Sequence, residues 1–498
     1  MQTQFSVFGA TIKGVEAIPV QVEISITSGL PGFLIVGMPD AAIQEARERV
    51  RSAILSSGFS MPGNRVVVNL APGEVKKSGS GFDLPIAVGI LAATGQIPTK
   101  GLSSGLLVGE LSLESKIRSV TGLLAYAVCA REQGLNLICA EPENGFVDLD
   151  GLIRLSVNSL SEFRAGEFSE ASSRSQPLEV SVLDYAEIAG FDVAKRALQV
   201  AAAGGHGVLM MGPPGSGKTM LASRLPSILP DLSEKEKLES ALVHSVAGLE
   251  IGSILSRVRP FRSPHHSASL AGLVGGGSPP RPGEVSLAHN GVLFLDELAE
   301  FRPSVLQGIR QPMESGNISI TRADGNVVFP AQFMLIAASN PCPCGHYGDF
   351  DINCSCSAAQ VKNYQNRIGG PLMDRIDIHI DVWRSKPKQV LEAGKGTSSA
   401  KLREGIIKAR EFAAYRRAQS GEEFVNRSSA ALLEQCGLNV KDESFLEEMA
   451  GIHHMSGRGI IRTLSIARTL ADMDEQARVK RTHICEALNL RVQERIGS

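Results

Sequence analysis

The chain is poor in aromatic residues, which make up 5% of its 498 positions and include a single Trp. A broad aromatic platform for stacking nucleic-acid bases is therefore not expected. It also lacks an excess of either charge, with a formal net charge of -2. Attraction to a polyanion would have to come from local basic loops, because no field of one sign surrounds the whole. No apolar run is long and uncharged enough to span a bilayer. The start, Met1-Gln2-Thr3-Gln4-Phe5, lacks the basic and apolar stretches of a signal peptide. A cytoplasmic protein with no membrane partner is the expectation. Eight cysteines in a chain of this length do not make a disulfide scaffold, and neither an internal repeat nor a long low-complexity tract is present.

What remains is an ordinary globular composition, 43% hydrophobic and 20% charged. The length allows about three domains. Residues 1–162 read as mixed α/β. Val20 to Ile26 alternates like a strand with one buried face, Ala41 to Ser56 has helical spacing, Arg65 to Leu70 reads as a strand, and Leu84 to Ala93 is apolar all round, as in a buried helix. Residues 163–183, rich in Ser, Glu and Arg, are expected to be a linker. Over 184–384 strands and helices alternate, which implies a parallel sheet. Residues 385–400 form a second expected linker, and 401–498 read as helical throughout.

The strongest motif is Gly212-Pro213-Pro214-Gly215-Ser216-Gly217-Lys218-Thr219, between the apolar run Val208 to Met211 and a helix-like segment. Strand, glycine loop and helix in that order make a phosphate-binding P-loop. Its glycines let several backbone N–H groups face one anion, and the helix behind turns its positive end to the same place. Lys218 suits the β- and γ-phosphates of ATP, and Thr219 suits Mg²⁺.

Three further segments fit around it. Gly291 to Leu295 is an apolar strand ending in Asp296 and Glu297. At the C-terminal edge of a parallel sheet, Asp296 suits Mg²⁺ and Glu297 suits the attacking water. Phe333 to Ser339 ends in Asn340, a polar group placed to sit between γ-phosphate and water. Arg375, in Pro371-Leu372-Met373-Asp374-Arg375-Ile376-Asp377, reads as an arginine finger for a neighbouring subunit's ATP, worth about 10³ to 10⁵ in rate. The alternative is a surface ion pair with Asp374 or Asp377, worth about 0 to 1 kcal/mol. Arg458, opening the helix after Ser456, is expected to read the γ-phosphate from the helical region, with Arg462 one turn later as its rival.

Cys342, Cys344, Cys354 and Cys356 make two Cys-x-Cys pairs within fifteen residues. Four thiolates so close suit tetrahedral Zn²⁺ in a structural role, although the pairs are tighter than the usual spacing. His346 is a substitute ligand; free thiols or a redox loop are the other readings.

Together these parts resemble the AAA+ ATPases. The segment Asp184 to Gly190, with Ile188, is similar to the stretch that packs against adenine in that family. The motifs GPPGSGKTMLA, PFRSPHHSASLAGLVGGG, GVLFLDELAEF, SNPCPCG and PLMDRIDIH resemble those of the ComM/YifB group of magnesium-chelatase-like proteins, in which a loop is inserted into helix 2, between the P-loop and the strand ending in Asp296 and Glu297. The resemblance implies an AAA+ P-loop NTPase core with a helical lid, assembled as a hexameric ring with ATP at the subunit boundaries. It also implies pore loops: Asn317 to Phe329 reads as a hairpin whose Arg322 would face DNA in the channel. The segments Lys77 to Pro85, Gly109 to Leu113 and Val120 to Leu124 resemble the Lon-protease-like, ribosomal S5-like α/β fold. There the nucleophile's place falls at Gly81 and the base's place at Leu124, with Ser80 and Lys116 only nearby, so an inactive protease fold is expected.

The function implied is an ATP-dependent DNA motor acting in branch migration during natural transformation and homologous recombination, on single-stranded or branched DNA, together with recombination proteins. Two other readings are a magnesium-chelatase-type metal-insertion subunit and a protein-remodelling ATPase.

Overall fold

The computed structural model describes residues 3–142, 146–166, 168–171, 183–322, 325–349, 351–384, 396–419 and 428–491. The first unit is built on an eight-stranded sheet. Strands Thr3–Lys13 and Glu16–Thr27 pair antiparallel, with Thr3 opposite Ile26 and Lys13 opposite Glu16. Val20, Val22, Ile24 and Ile26 are buried while Gln21 and Glu23 between them are exposed, the period-two signature of a half-buried strand. Asp40 caps the helix Ala41–Ser56 by accepting from the Ile43 amide. The helix Asp83–Ala93 is buried from Asp83 to Ala92, which its lack of a polar face predicts. It lies close on the sheet at Gly89, where a Cβ would stand 2.7 Å from Ile24 Cγ1.

Beyond residue 162 the first unit continues. Phe163 is 1% exposed and packs on Phe168 at a 60° tilt, with ring centroids 4.9 Å apart. Ser169–Glu170 then pairs with the strand Arg154–Ser156 as the sheet's edge. Apolar burial thus holds the opening residues of the expected 163–183 linker; 172–182 lie outside the described residues, as do 385–395 of the second expected linker.

The second unit holds a five-stranded sheet. Its order is Phe261–Arg262, Gly291–Leu295, Phe333–Ser339, Val208–Met211, Ile378–Asp381, with every neighbouring pair parallel. Gly291–Leu295 is buried at all five positions, as a strand covered on both faces should be. Parallel strands share one C-terminal edge, so the loops after Met211, Leu295 and Ser339 all emerge on the same side. The region after 396 is helical in Ser399–Gln419, Ser429–Cys436, Val440–Ile452, Gly457–Met473 and Arg481–Arg491. Leu464, Ile466 and Leu470 join Val208 and Ile378 in one core, so this bundle is packed onto the sheet.

Among the described residues, the contacts between the units include two regions. The Gly122 amide donates to Ser245 O at 2.9 Å, beside helices Leu123–Glu132 and Glu234–Ala247. The turn after Lys13 also meets the hairpin of strands Asn317–Arg322 and Gly325–Pro330: a Cβ on Gly14 would stand 3.2 Å from Val327 Cγ1. Among the described residues, no helix is long and apolar enough to cross a membrane.

Candidate nucleotide site

The P-loop geometry follows from its glycines. A Cβ on Gly212 would stand 2.0 Å from Val382 O, so only glycine lets the loop leave the sheet there. Gly217, at φ +89°, turns the chain into the helix Lys218–Ser223. Lys218 is buried, and its ammonium donates to Gly212 O at 2.8 Å, Pro213 O at 2.9 Å and Asn340 Oδ1 at 3.3 Å. Burial lowers its pKa below the ordinary lysine value, and Asp296 opposes that shift. Thr219 Oγ1 donates to Asp296 Oδ2 at 2.6 Å, and the Glu297 amide donates to Asp296 Oδ1 at 2.9 Å. Lys218, Thr219, Asp296, Glu297 and Asn340 therefore meet at one sheet edge. The hydroxyl of Thr219 and the carboxylate of Asp296 are the hard oxygen donors that suit Mg²⁺. Gly215 and Ser216 complete the loop between Pro214 and Gly217.

Glu297 has a partner that patterning did not supply. Its backbone is left-handed at φ 51°, and its Oε2 lies 3.0 Å from His266 Nδ1. The His266 ring sits 4.1 Å from that of His265 and edge-on to Phe301. The only sequence signal was the histidine pair in the segment following Phe261–Arg262.

Arg375 stands elsewhere. Strand Ile378–Asp381 runs parallel to Val208–Met211, with Val208 opposite Ile378. Arg375 and Asp377 thus occupy the N-terminal edge of the sheet, about 13 Å of strand from the P-loop edge. Arg375 pairs with Glu314 at 2.8 Å and donates to Pro371 O at 2.7 Å, while its Nε is buried without a hydrogen-bond partner. Arg462 donates to Asp377 Oδ1 at 2.7 Å. Burial would raise the Asp377 carboxyl, but His206, Arg462 and the Gly207 amide outweigh it and hold it low. Gly205, Glu314, Arg375, Asp377 and Arg462 line one cavity at this edge. Arg458 is exposed one turn before Arg462 on the same helix, about 6 Å along the axis. The arginines are therefore grouped away from their own chain's Lys218.

The remaining expected residues are dispersed. Ile188 is 2% exposed and packs in the core with Tyr185 and Leu221. Arg322 is exposed opposite Gly325 in the hairpin, whose tip, 323–324, lies outside the described residues. The Lys13 ammonium comes within 3.3 Å of where a Gly325 Cβ would stand, so a second basic group accompanies Arg322. In the first unit Gly81 and Leu124 are both buried, and the Ser80 hydroxyl donates to Glu110.

The cysteines form a cluster. One sulfur from each of Cys342, Cys344, Cys354 and Cys356 lies within 4.8 Å of all the others. Cys342 Sγ is 3.4 Å from that of Cys344 and 3.7 Å from that of Cys354. A tetrahedral zinc–thiolate site needs S···S separations of about 3.8 Å, so the four could hold a metal of that class. The His346 amide leads the groups that bring the Cys344 thiol down to about 5, favouring a thiolate. The His346 ring is taken by Asp349 at 3.1 Å and does not join the sulfurs.

Comparison with known proteins covers the same ground. Residues 184–390 match the family described as magnesium chelatase, subunit ChlI; residues 22–144 match subunit ChlI of Mg-chelatase, and residues 396–491 match its C-terminal family. The chain is 40% identical over 502 residues to the competence protein ComM of Haemophilus influenzae, covering 98% of each. It is 41% identical over 496 residues to the uncharacterized protein YifB of Escherichia coli K12, covering 97% of this chain and 96% of that one. A magnesium-chelatase 67 kDa subunit of Chlorobaculum tepidum is 27% identical over 164 residues, 32% of this chain and 24% of its own.

Proposed function

Because the chain belongs to the ComM/YifB group of magnesium-chelatase-like AAA+ proteins, we propose that it is an ATPase whose catalytic sites lie at the seams of a hexameric ring that moves DNA. One observation carries the reading. Lys218, Thr219, Asp296, Glu297 and Asn340 meet at one sheet edge, while Arg375 and Arg462 gather at the other. In a ring the second edge of one protomer faces the first edge of its neighbour, and the divided site becomes whole.

At the seam, the Gly212–Thr219 backbone and Lys218 hold the ATP phosphates, and Ile188 supports the adenine. Thr219 and Asp296 hold Mg²⁺, which supplies charge neutralisation at the β- and γ-phosphates. Glu297 orients and deprotonates the attacking water, and Asn340 positions it. Arg375 stabilises charge developing on the γ-phosphoryl group as its bond to ADP breaks, and Arg458 or Arg462 reports the loss of that group to the helical lid. Lys13 and Arg322 face the DNA backbone in the channel. Zinc at Cys342, Cys344, Cys354 and Cys356 orders its loop. The resemblance to the competence protein leads us to place the chain as a cytoplasmic motor working on single-stranded or branched DNA in transformation and recombination.

Support for the DNA reading comes from the relative named as a competence protein, matched over nearly the whole chain. The metal-insertion reading draws on the magnesium-chelatase family matches at 22–144, 184–390 and 396–491, but the 67 kDa subunit compared above covers 32% of the chain, against 98% for the competence protein. The test is the ATPase rate with and without forked DNA, alongside ATP-driven unwinding. Unwinding that survives Lys218→Ala, or an ATPase indifferent to every DNA offered, refutes the proposal.

A further inference from the structure

We propose that the four-cysteine site is a brace for the P-loop, so that losing its metal weakens nucleotide binding although no thiol reaches the nucleotide. The inference rests on the zinc reading above and adds a mechanical role to it.

Two routes join the cluster to the phosphate site. The first runs along the chain. Strand Phe333–Ser339 delivers Asn340 to Lys218 at 3.3 Å, and Cys342, fully buried, follows two residues later. The second route is a direct contact. The Gly345 amide donates to Cys342 O at 3.0 Å, closing a turn over the first cysteine pair. Gly345 has φ +84°, and a Cβ there would stand 2.4 Å from Pro214 Cδ and 2.7 Å from its Cγ. The backbone of the cysteine turn thus lies flat against a proline inside the P-loop. Glycine is required twice over, once for the left-handed backbone and once for the close approach.

The other flank of the loop is held as well. A Cβ on Gly348 would stand 3.4 Å from Cη2 of Trp383, the sole tryptophan. Trp383 follows Val382, whose amide donates to Met211 O at 2.7 Å and whose carbonyl abuts Gly212. The cysteine loop therefore touches the P-loop at Pro214 and touches the strand end that backs Gly212.

Within the loop itself apolar burial supplies little order, and the His346–Asp349 contact ties only neighbouring residues together. Among its described residues from Cys342 to Cys356 only Cys342 and Gly345 are buried, and Ile352 is 40% exposed. The sulfur cluster is what ties the first pair to the second. A metal ion closing that loop removes conformational freedom that the small apolar content does not remove. Without it the turn is free to leave Pro214, and the P-loop loses a wall that holds it in its binding shape. Nucleotide affinity should fall about 10-fold, the scale set by losing the pre-ordering of a binding loop.

The test uses the full chain purified under reducing conditions. Bound zinc is measured per chain, and affinity for a fluorescent ADP analogue is titrated in excess Mg²⁺, with Trp383 emission followed in parallel. The expected result is about one zinc per chain. A zinc-selective chelator, or Cys344→Ser with Cys354→Ser, should shift Trp383 emission and weaken the analogue about 10-fold, and returning zinc to the chelated protein should restore both. Gly345→Ala should keep its zinc and still bind the analogue more weakly; if it does not fold, chelation and restoration of the unaltered chain decide. Metal-free protein that binds the analogue as tightly as loaded protein overturns the brace and leaves the zinc reading standing. Protein that takes up no zinc overturns both.

Discussion

The separation of the arginines from Lys218 makes a quantitative prediction for mixed assemblies. Lys218→Ala should abolish hydrolysis by removing the buried ammonium that reaches the P-loop carbonyls and Asn340. Arg375→Ala should also abolish it, but from the far edge of the sheet. Mix the two variants in equal amounts and let subunits exchange. A seam works only if one side carries an intact Lys218 and the other an intact Arg375. With random neighbours, half the protomers supply each, so about one quarter of the seams are complete and about a quarter of the original rate should return. The assay is steady-state ATP turnover with forked DNA present, across a series of mixing ratios. Activity should vanish at both ends and peak near equal amounts. If Arg375 served its own chain's site, no seam in any mixture would contain both groups and the rate would stay at zero throughout. That flat line would refute the divided site.

Three further outcomes follow from contacts at other places. The His266–Glu297 contact holds the carboxylate expected to act on water, so His266→Ala should raise DNA-independent ATP turnover by up to about fivefold, the value of a half-exposed pair; an unchanged basal rate would show the contact to be idle. Neutralising both Lys13 and Arg322 should flatten the dependence of DNA binding on salt by about two phosphate contacts, read from the slope of log affinity against log salt, and an unaltered slope would remove them from the DNA path. His379 is pushed down to about 4, first by burial and then by Arg491. Its neutral form is the one the folded state holds, so stability is complete above the unfolded value near 6.5 and is lost as pH falls from there to about 4, at about 1.4 kcal/mol per unit for this group. Chemical denaturation across that range should show the slope, and His379→Gln should lessen it.

Sequence patterning reached the parts of the site built by short stretches of chain. Gly212 to Thr219 declares its own strand, turn and helix, and Asp296, Glu297 and Asn340 each end an apolar run. A parallel sheet then brings them together without further information. Leu84 to Ala93 was legible as a buried helix for a similar reason, since no face of it is polar; the helix itself starts one residue earlier, at Asp83. What patterning missed depends on contacts between distant segments. His266 meets Glu297 across thirty-one positions, and Gly345 meets Pro214 across more than a hundred. The opening of the expected linker misled for a different reason: one aromatic pair, Phe163 with Phe168, outweighs the polar composition around it. The grouping of Arg375 with Arg462 needed the strand order and the packing of the helix Gly457–Met473 on the sheet, because periodicity gives a helix its buried face but not the sheet edge it reaches.

The seat of Gly14 on Val327 has a mechanical consequence. In the ring proposed above, a hairpin advancing along the axis would have two options at this turn. Either the first domain would travel with each stroke as a rider on the moving part, or the contact would open and close once per cycle like a latch.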